Sequence, residues 1–283
     1  LDDSLPRTAT FYITGDQDGL QIYGGFAGTE STLAERDLGA GHETILSGRF
    51  LANSDTYRAY HVLVFDGGDR LGSDITANVT RATVLDGVTV TGGRAVTDDP
   101  AVTNDLYDSG GGLYCDGGGS GNECSPEVKN VTFTGNVAYY GAAIYNDGSN
   151  GGESSPQITN VIFASNTARN DGGAIHNYGH GGGRSNPQIT NAIFAGNDAE
   201  GFGGAIMNGA EASGTSSPQI TNATFNGNTA FTNSLANGGV IYNYGLDGGT
   251  SNPQITNTIL WGNDAGEEVV NSNATPGYSH TLV

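Results

Sequence analysis

Proline spacing constrains this chain more than any other feature. Six of its eight prolines, Pro126, Pro156, Pro187, Pro218, Pro253 and Pro276, stand 30, 31, 31, 35 and 23 residues apart. Around them the same parts recur in order: Pro-Gln-Ile-Thr-Asn, an apolar pair, Gly-Asn or Ser-Asn, Gly-Gly-Ala-Ile, a Tyr/Asn patch and a Gly-rich turn. A period near 31 residues, with short strand-like segments and no helical stretch, predicts a β-solenoid whose coils stack on one another. Composition agrees, since 47 Gly and 27 Asn in 283 residues favour turns and disfavour helices. The glycines do not fall at every third position, which excludes collagen. Regular recurrence of Ile, Val, Phe and Tyr separates the chain from disordered sequences.

The columns of the repeat predict how each coil bends. One holds Val128, Ile158, Ile189, Ile220 and Ile255; five residues on, another holds Phe133, Phe163, Phe194, Phe225 and Leu260. An odd separation puts two residues on opposite faces of a straight strand, so for both to face the core the strand must turn between them. Asn130, Asn160, Asn191, Asn222 and Asn257 mark that corner. Asn tolerates a left-handed backbone, and stacked amides can bond from coil to coil. Asn136, Asn166, Asn197, Asn228 and Asn263 mark a second turn, followed by Ile144, Ile175, Ile206 and Ile241 on the next strand. The prolines are expected at strand starts, where a missing N–H costs least.

The expected architecture is all-β: one β-solenoid domain over 1–283 with coils of about 31 residues. Within it, 1–97 reads as irregular N-terminal coils, 98–109 as an acidic loop and 110–283 as regular repeats. Gln21-Ile22-Tyr23, Thr44-Ile45-Leu46, His61 to Phe65 and Thr83 to Val90 read as early strands, and 27–43 as a helix or long loop covering the first coils. Nine or ten coils would make a rod roughly 45 Å long.

Charge and cysteine usage narrow the setting. Ten basic against 30 acidic residues leave a net charge of −20, with Lys129 the single lysine, and such a surface repels nucleic acid. No run of 18 apolar residues occurs, so no membrane insertion is expected. The lack of an initiating Met or signal peptide reads as a mature or excised chain. Cys115, aligned with Tyr145, His176, Met207 and Tyr242, and Cys124, aligned with Ser154, Ser185, Ser216 and Ser251, bracket a Gly-rich loop. They are expected to form a disulfide, which places the chain in an oxidising, extracellular compartment.

The runs IYGGFAGTESTLAERD and ETILSG, the later TVLDGVTVTGG, and the SPQITN, FxGNxA and GGAI units resemble bacterial secreted right-handed parallel β-helix surface proteins, the choice-of-anchor Q group most closely. The GGAI and FxxN elements are also similar to the repeats of chlamydial polymorphic outer-membrane proteins. The resemblance covers nearly the whole chain. It implies the fold and a cell-surface location, and it implies no particular chemistry.

Parallel β-helices also include polysaccharide lyases and hydrolases. Glycoside hydrolysis needs two carboxylates at a set separation. Asp98, Asp99, Asp105 and Asp108 form the densest acidic cluster, and adjacent acids in such a loop read as solvated or calcium-binding rather than catalytic. Asp16 and Asp18, within Gly15–Gly19, offer a second set of oxygen ligands. His61, His176 and Arg184 are conceivable catalysts, but His176 shares its column with Tyr145, Met207 and Tyr242 and reads as a variable surface position. The Thr159, Thr190, Thr221 and Thr256 column is interrupted by Lys129, which argues against an ice-binding array.

The sequence therefore predicts a non-catalytic structural or adhesive β-helix that requires no cofactor, with calcium as the one ion its carboxylates invite. The other class is a carbohydrate-active enzyme or a glycan-binding module using a long face. Expected partners are surface glycans and further copies of the chain. Pro276 to Val283 aligns with Pro253 to Leu260, so the chain stops partway through a coil, and head-to-tail stacking into fibres is expected.

Overall fold

In a computed structural model, residues 7–39, 41–50, 58–68, 78–97, 105–230 and 238–282 are described. They form a parallel β-helix of four sheets. Within one regular coil the chain passes through Gln157–Thr159, Ile162–Ala164, Thr167–Ala168 and Ile175–His180, and a Gly-rich turn then leads to Gln188–Thr190 of the next coil. Pairing is parallel and in register, with Ile158 beside Ile189 and Phe163 beside Phe194. Each of these prolines immediately precedes a strand, as Pro126, Pro156 and Pro187 do for Glu127, Gln157 and Gln188.

The corner falls where the asparagines predict it. Asn130, Asn160, Asn191, Asn222 and Asn257 have φ between 49° and 55°. The bend turns both the Ile158 and Phe163 columns inward, and both are fully buried. Phe133, Phe163, Phe194 and Phe225 stack along the axis with centroids 5.5, 4.7 and 4.4 Å apart. Burying each such ring contributes about 2–3 kcal/mol.

Asn136, Asn166, Asn197 and Asn228 are wholly buried. Asn166 Nδ2 donates to Asn197 Oδ1 at 3.0 Å and to Phe133 O at 3.1 Å, and the neighbouring coils repeat the pattern. A further inward ladder, absent from the sequence expectations, runs Asn146, Asn177, Asn208, Asn243 and Asn271 with each Nδ2···Oδ1 at 2.8 Å. The Gly-rich turns let coils approach closely. A Cβ on Gly148 would stand 1.7 Å from Arg184 O of the next coil.

Two expectations need correction. The sheets hold eight rungs at most among the described residues, not nine or ten coils. Phe11 pairs with Leu63 and Leu63 with Leu113, so the early coils take 52 and 50 residues instead of about 31. Part of the extra chain is 24–43, where among the described residues only Leu33–Glu35 forms a 3-10 turn. Secondly, Cys115 does not share a column with Tyr145 and His176. It pairs with Asn146, and so occupies the inward Asn column. The tail does enter the sheets as aligned, with Tyr278 beside Ile255.

Candidate recognition cleft

Strands Ile144–Asp147, Ile175–His180, Ile206–Glu211 and Ile241–Leu246 lie side by side in one eight-stranded sheet. Side chains alternate across a strand. With Ile175 and Asn177 inside, His176 and Tyr178 face outward. The outward positions form two columns, Tyr145, His176, Met207, Tyr242 and Asp147, Tyr178, Gly209, Tyr244. A third column, Ser109, Tyr140, Asp171 and Phe202, stands on the turn leading into the sheet, with Ser109 bridged to Tyr140.

Between these columns lies an open cleft of about 560 Å³. Its walls are aromatic: Tyr140 and Tyr145 pack on His176 with centroids 5.6 and 5.2 Å away, and Phe202 packs on Tyr242 at 4.4 Å. His176 is only 6% exposed, and so is not the variable surface position expected of its column. The neighbouring rings cover it, and burial pushes its pKa from 6.5 down to about 3. Its Nδ1, like Ser109 Oγ, is buried without a hydrogen-bond partner. Burial also raises the pKa of Asp171, against the lowering effect of the Phe202 N–H that donates to Oδ1 at 2.8 Å. Glu211 completes the rim, and neither Lys nor Arg is among the described lining residues.

The candidate catalytic groups are not brought together. His61 and His176 sit three rungs apart, about 14 Å along the stack. His61 Nδ1 bonds Gly110 O at 2.9 Å, and the Arg184 backbone forms part of the Gly-rich turn, with its N–H on Gly152 O at 2.8 Å. Of the proposed calcium ligands, Asp98 and Asp99 lie outside the described residues. Asp105 opens the short helix Asp105–Asp108, and Asp108 Oδ1 accepts the Thr97 N–H at 3.2 Å. The second set is engaged structurally. Asp18 accepts hydrogen bonds from Thr80 N–H, Thr80 Oγ1 and Thr83 Oγ1 at 2.7–2.9 Å. Partial burial would raise its pKa, but these bonds outweigh it and hold the pKa below the usual value. No group of three His, Cys, Asp or Glu side chains is placed to hold a metal among the described residues.

Sequence reasoning missed one outward acidic row. Asp66, Asp116 and Asp147 occupy one column. Each accepts from a backbone N–H two residues on at 3.0 Å, and Asp147 also accepts the Tyr114 hydroxyl at 2.9 Å. These carboxylates tighten turns. Cys115 and Cys124 are joined, with Cα atoms 5.7 Å apart, at the start and end of the Gly-rich loop of their coil.

The family model for the Chlamydia polymorphic membrane protein (Chlamydia_PMP) repeat matches residues 130–147 and 160–178. Both stretches run from the corner Asn through the Phe column into the strand that carries Tyr145 or His176. Among curated proteins and solved structures nothing matches. The chain is thus a parallel β-helix in which two stretches are similar to the Chlamydia polymorphic membrane protein repeat. No helix among the described residues is long and apolar enough to cross a membrane.

Proposed function

We infer that the chain is a non-catalytic extracellular adhesive β-helix that makes contact through the outer face of its aromatic sheet. The aromatic cleft is the observation that carries this reading. Tyr140, Tyr145, Tyr178, Phe202, Tyr242 and Tyr244 gather on one outward surface, whereas the internal lattice is complete without them. Clustered aromatics on a surface are a feature of recognition sites. The repeat similarity and the disulfide both support an extracellular setting.

The test is attachment. Beads coated with the 283-residue chain are expected to adhere to cell layers or matrix, and a Tyr178→Ala/Tyr244→Ala double variant should lose most of that adhesion. Polysaccharide turnover is followed in parallel by release of reducing ends or unsaturated products. Turnover by the wild type without attachment would replace this reading with the enzyme.

A further inference from the structure

One position in the cleft is not explained by the requirements of the coil. In the outward column Asp147, Tyr178, Gly209, Tyr244, glycine stands between two tyrosines. Other glycines here answer to the backbone. Gly172 has φ +71°, and Gly148 faces a carbonyl of the next coil. Gly209 is not among the positive-φ residues. A Cβ there would meet only ordinary contacts, at 3.6 Å from His176 Nε2, 3.7 Å from Met207 Cε and 3.9 Å from Asn177 O. Glycine inside a strand weakens it, and one use for such a gap is close approach by something else.

The gap has a definite shape. Tyr178 and Tyr244 flank it two rungs apart, roughly 9.5 Å between strands. Tyr178 stacks on His180 along its own strand, with centroids 5.6 Å apart and planes within 6°, so it bounds the gap while one of its faces is already covered. The His176 and Met207 side chains form the floor. From Tyr145 to Tyr242 the cleft runs three rungs, about 14 Å, so it suits a short chain better than one compact group.

We propose that the Gly209 slot, bordered by Tyr178 and Tyr244, binds one pyranose ring of a neutral saccharide, with adjoining sugars lying along the cleft. Sugar rings present apolar C–H faces to aromatic walls and hydroxyls at their edges. Here the edges meet the Glu211 and Asp171 carboxylates and the tyrosine hydroxyls. Acidic sugars fit badly, because the described lining residues include no Lys or Arg and the chain carries −20. His176 supplies no cation either, since burial keeps it neutral down to about pH 3. The buried Nδ1 of His176 and Oγ of Ser109, both without partners, show that this cleft leaves polar groups unsatisfied, as binding sites do. This assignment deepens the adhesive reading and rests on it for the cleft being the contact surface.

Calorimetric titration of the full chain tests it, with neutral hexose and N-acetylhexosamine tetramers, uronate tetramers and choline chloride as separate probes. A neutral tetramer should bind. Gly209→Tyr, which fills the slot, should weaken it at least tenfold without lowering the unfolding midpoint. Tyr244→Ala, which removes one wall without filling the slot, should weaken it about tenfold. It also stands as the decisive variant if Gly209→Tyr fails to fold. Binding of no neutral tetramer, preference for uronate or choline, or unaltered binding by the folded variants would each overturn the proposal. Cell attachment without saccharide binding would overturn it and leave adhesion standing. Saccharide binding without attachment would do the reverse.

Discussion

Two faces of this β-helix share one scaffold and differ in what they repeat. On the sheet that includes Gln157–Thr159, the outward residues recur almost unchanged: Gln157, Gln188, Gln219, Gln254 and Thr159, Thr190, Thr221, Thr256. On the aromatic sheet, successive outward positions read Tyr, His, Met, Tyr and Asp, Tyr, Gly, Tyr. Yet beneath that variation the inward columns of the same strands stay constant, Ile144 to Ile241 and Asn146 to Asn243. Stacking in a solenoid demands the same residue at equivalent inward sites, because each coil packs on a copy of itself. It makes no such demand outside. Identity along an inward column therefore reports structure, and departure along an outward column leaves room for recognition.

The largest expected effect comes from breaking an inward column. Asn197→Ala removes the acceptor of Asn166 N–H and Nδ2, and the donor to Phe163 O and Asn228 Oδ1. Those buried groups are then left unpaired in a dry core, and about 3–5 kcal/mol of stability should be lost. Chemical denaturation measures it. A loss below about 1 kcal/mol would show that the amide ladder does not hold the coils together.

Next is an inward site where the Asn column gives way. Cys115 replaces the Asn found in the following coils, and Cys124 stands where Ser154 and Ser185 do. The bond should add about 3 kcal/mol by restricting the unfolded chain, so Cys115→Ala/Cys124→Ala loses that amount. Native alkylation should modify neither thiol. Cys115→Asn/Cys124→Ser restores the repeat and offers Asn146 Oδ1, now buried without a partner, a donor. It should recover about 1 kcal/mol relative to the alanine pair. No recovery would mean that the ladder cannot extend into this coil.

These cases show what the sequence makes legible. The corner asparagines, the Ile and Phe columns and the tail alignment were readable because inward identity repeats at a fixed period. Cys115 was misaligned by one residue, since a single cysteine carries no periodic label and the neighbouring Tyr114 resembles Tyr145. The early coils were miscounted because insertions such as 24–43 obscure the period without breaking the sheet. The cleft was read as surface variation. A column of Tyr, His, Met and Tyr looks random in one dimension, and only the third column on the preceding turn shows that it is walled. The recurring Tyr/Asn patch was its one visible trace.

A third test probes how closed the cleft floor is. The unfolded His176 titrates near 6.5 and the folded one near 3, so its contribution to stability is complete above about pH 6.5 and is lost as pH falls toward 3. At pH 5 the loss should be about 2 kcal/mol. His176→Met places there the residue that the next coil already holds as Met207. Between pH 7.5 and 5 the variant should therefore lose about 2 kcal/mol less than the wild type in parallel denaturation series. Identical pH dependence would mean that the imidazole protonates freely in the folded protein and that the surrounding rings do not cover it.

The smallest expected effect is the sharpest test of the comparison. Thr190 lies outward on the repeating face, only partly buried, between Thr159 and Thr221. If that face repeats only because neighbouring coils share a strand geometry, its hydroxyl does little. Thr190→Ala loses some strand preference and a partly exposed methyl and hydroxyl, a change of no more than about 0.5 kcal/mol. Saccharide binding and cell attachment should both equal the wild type. A Thr190→Ala variant that stays folded but loses attachment would reverse the inference drawn from the two faces. It would make the regular threonine and glutamine columns the contact surface, and the aromatic columns a packing feature of the coils beneath them.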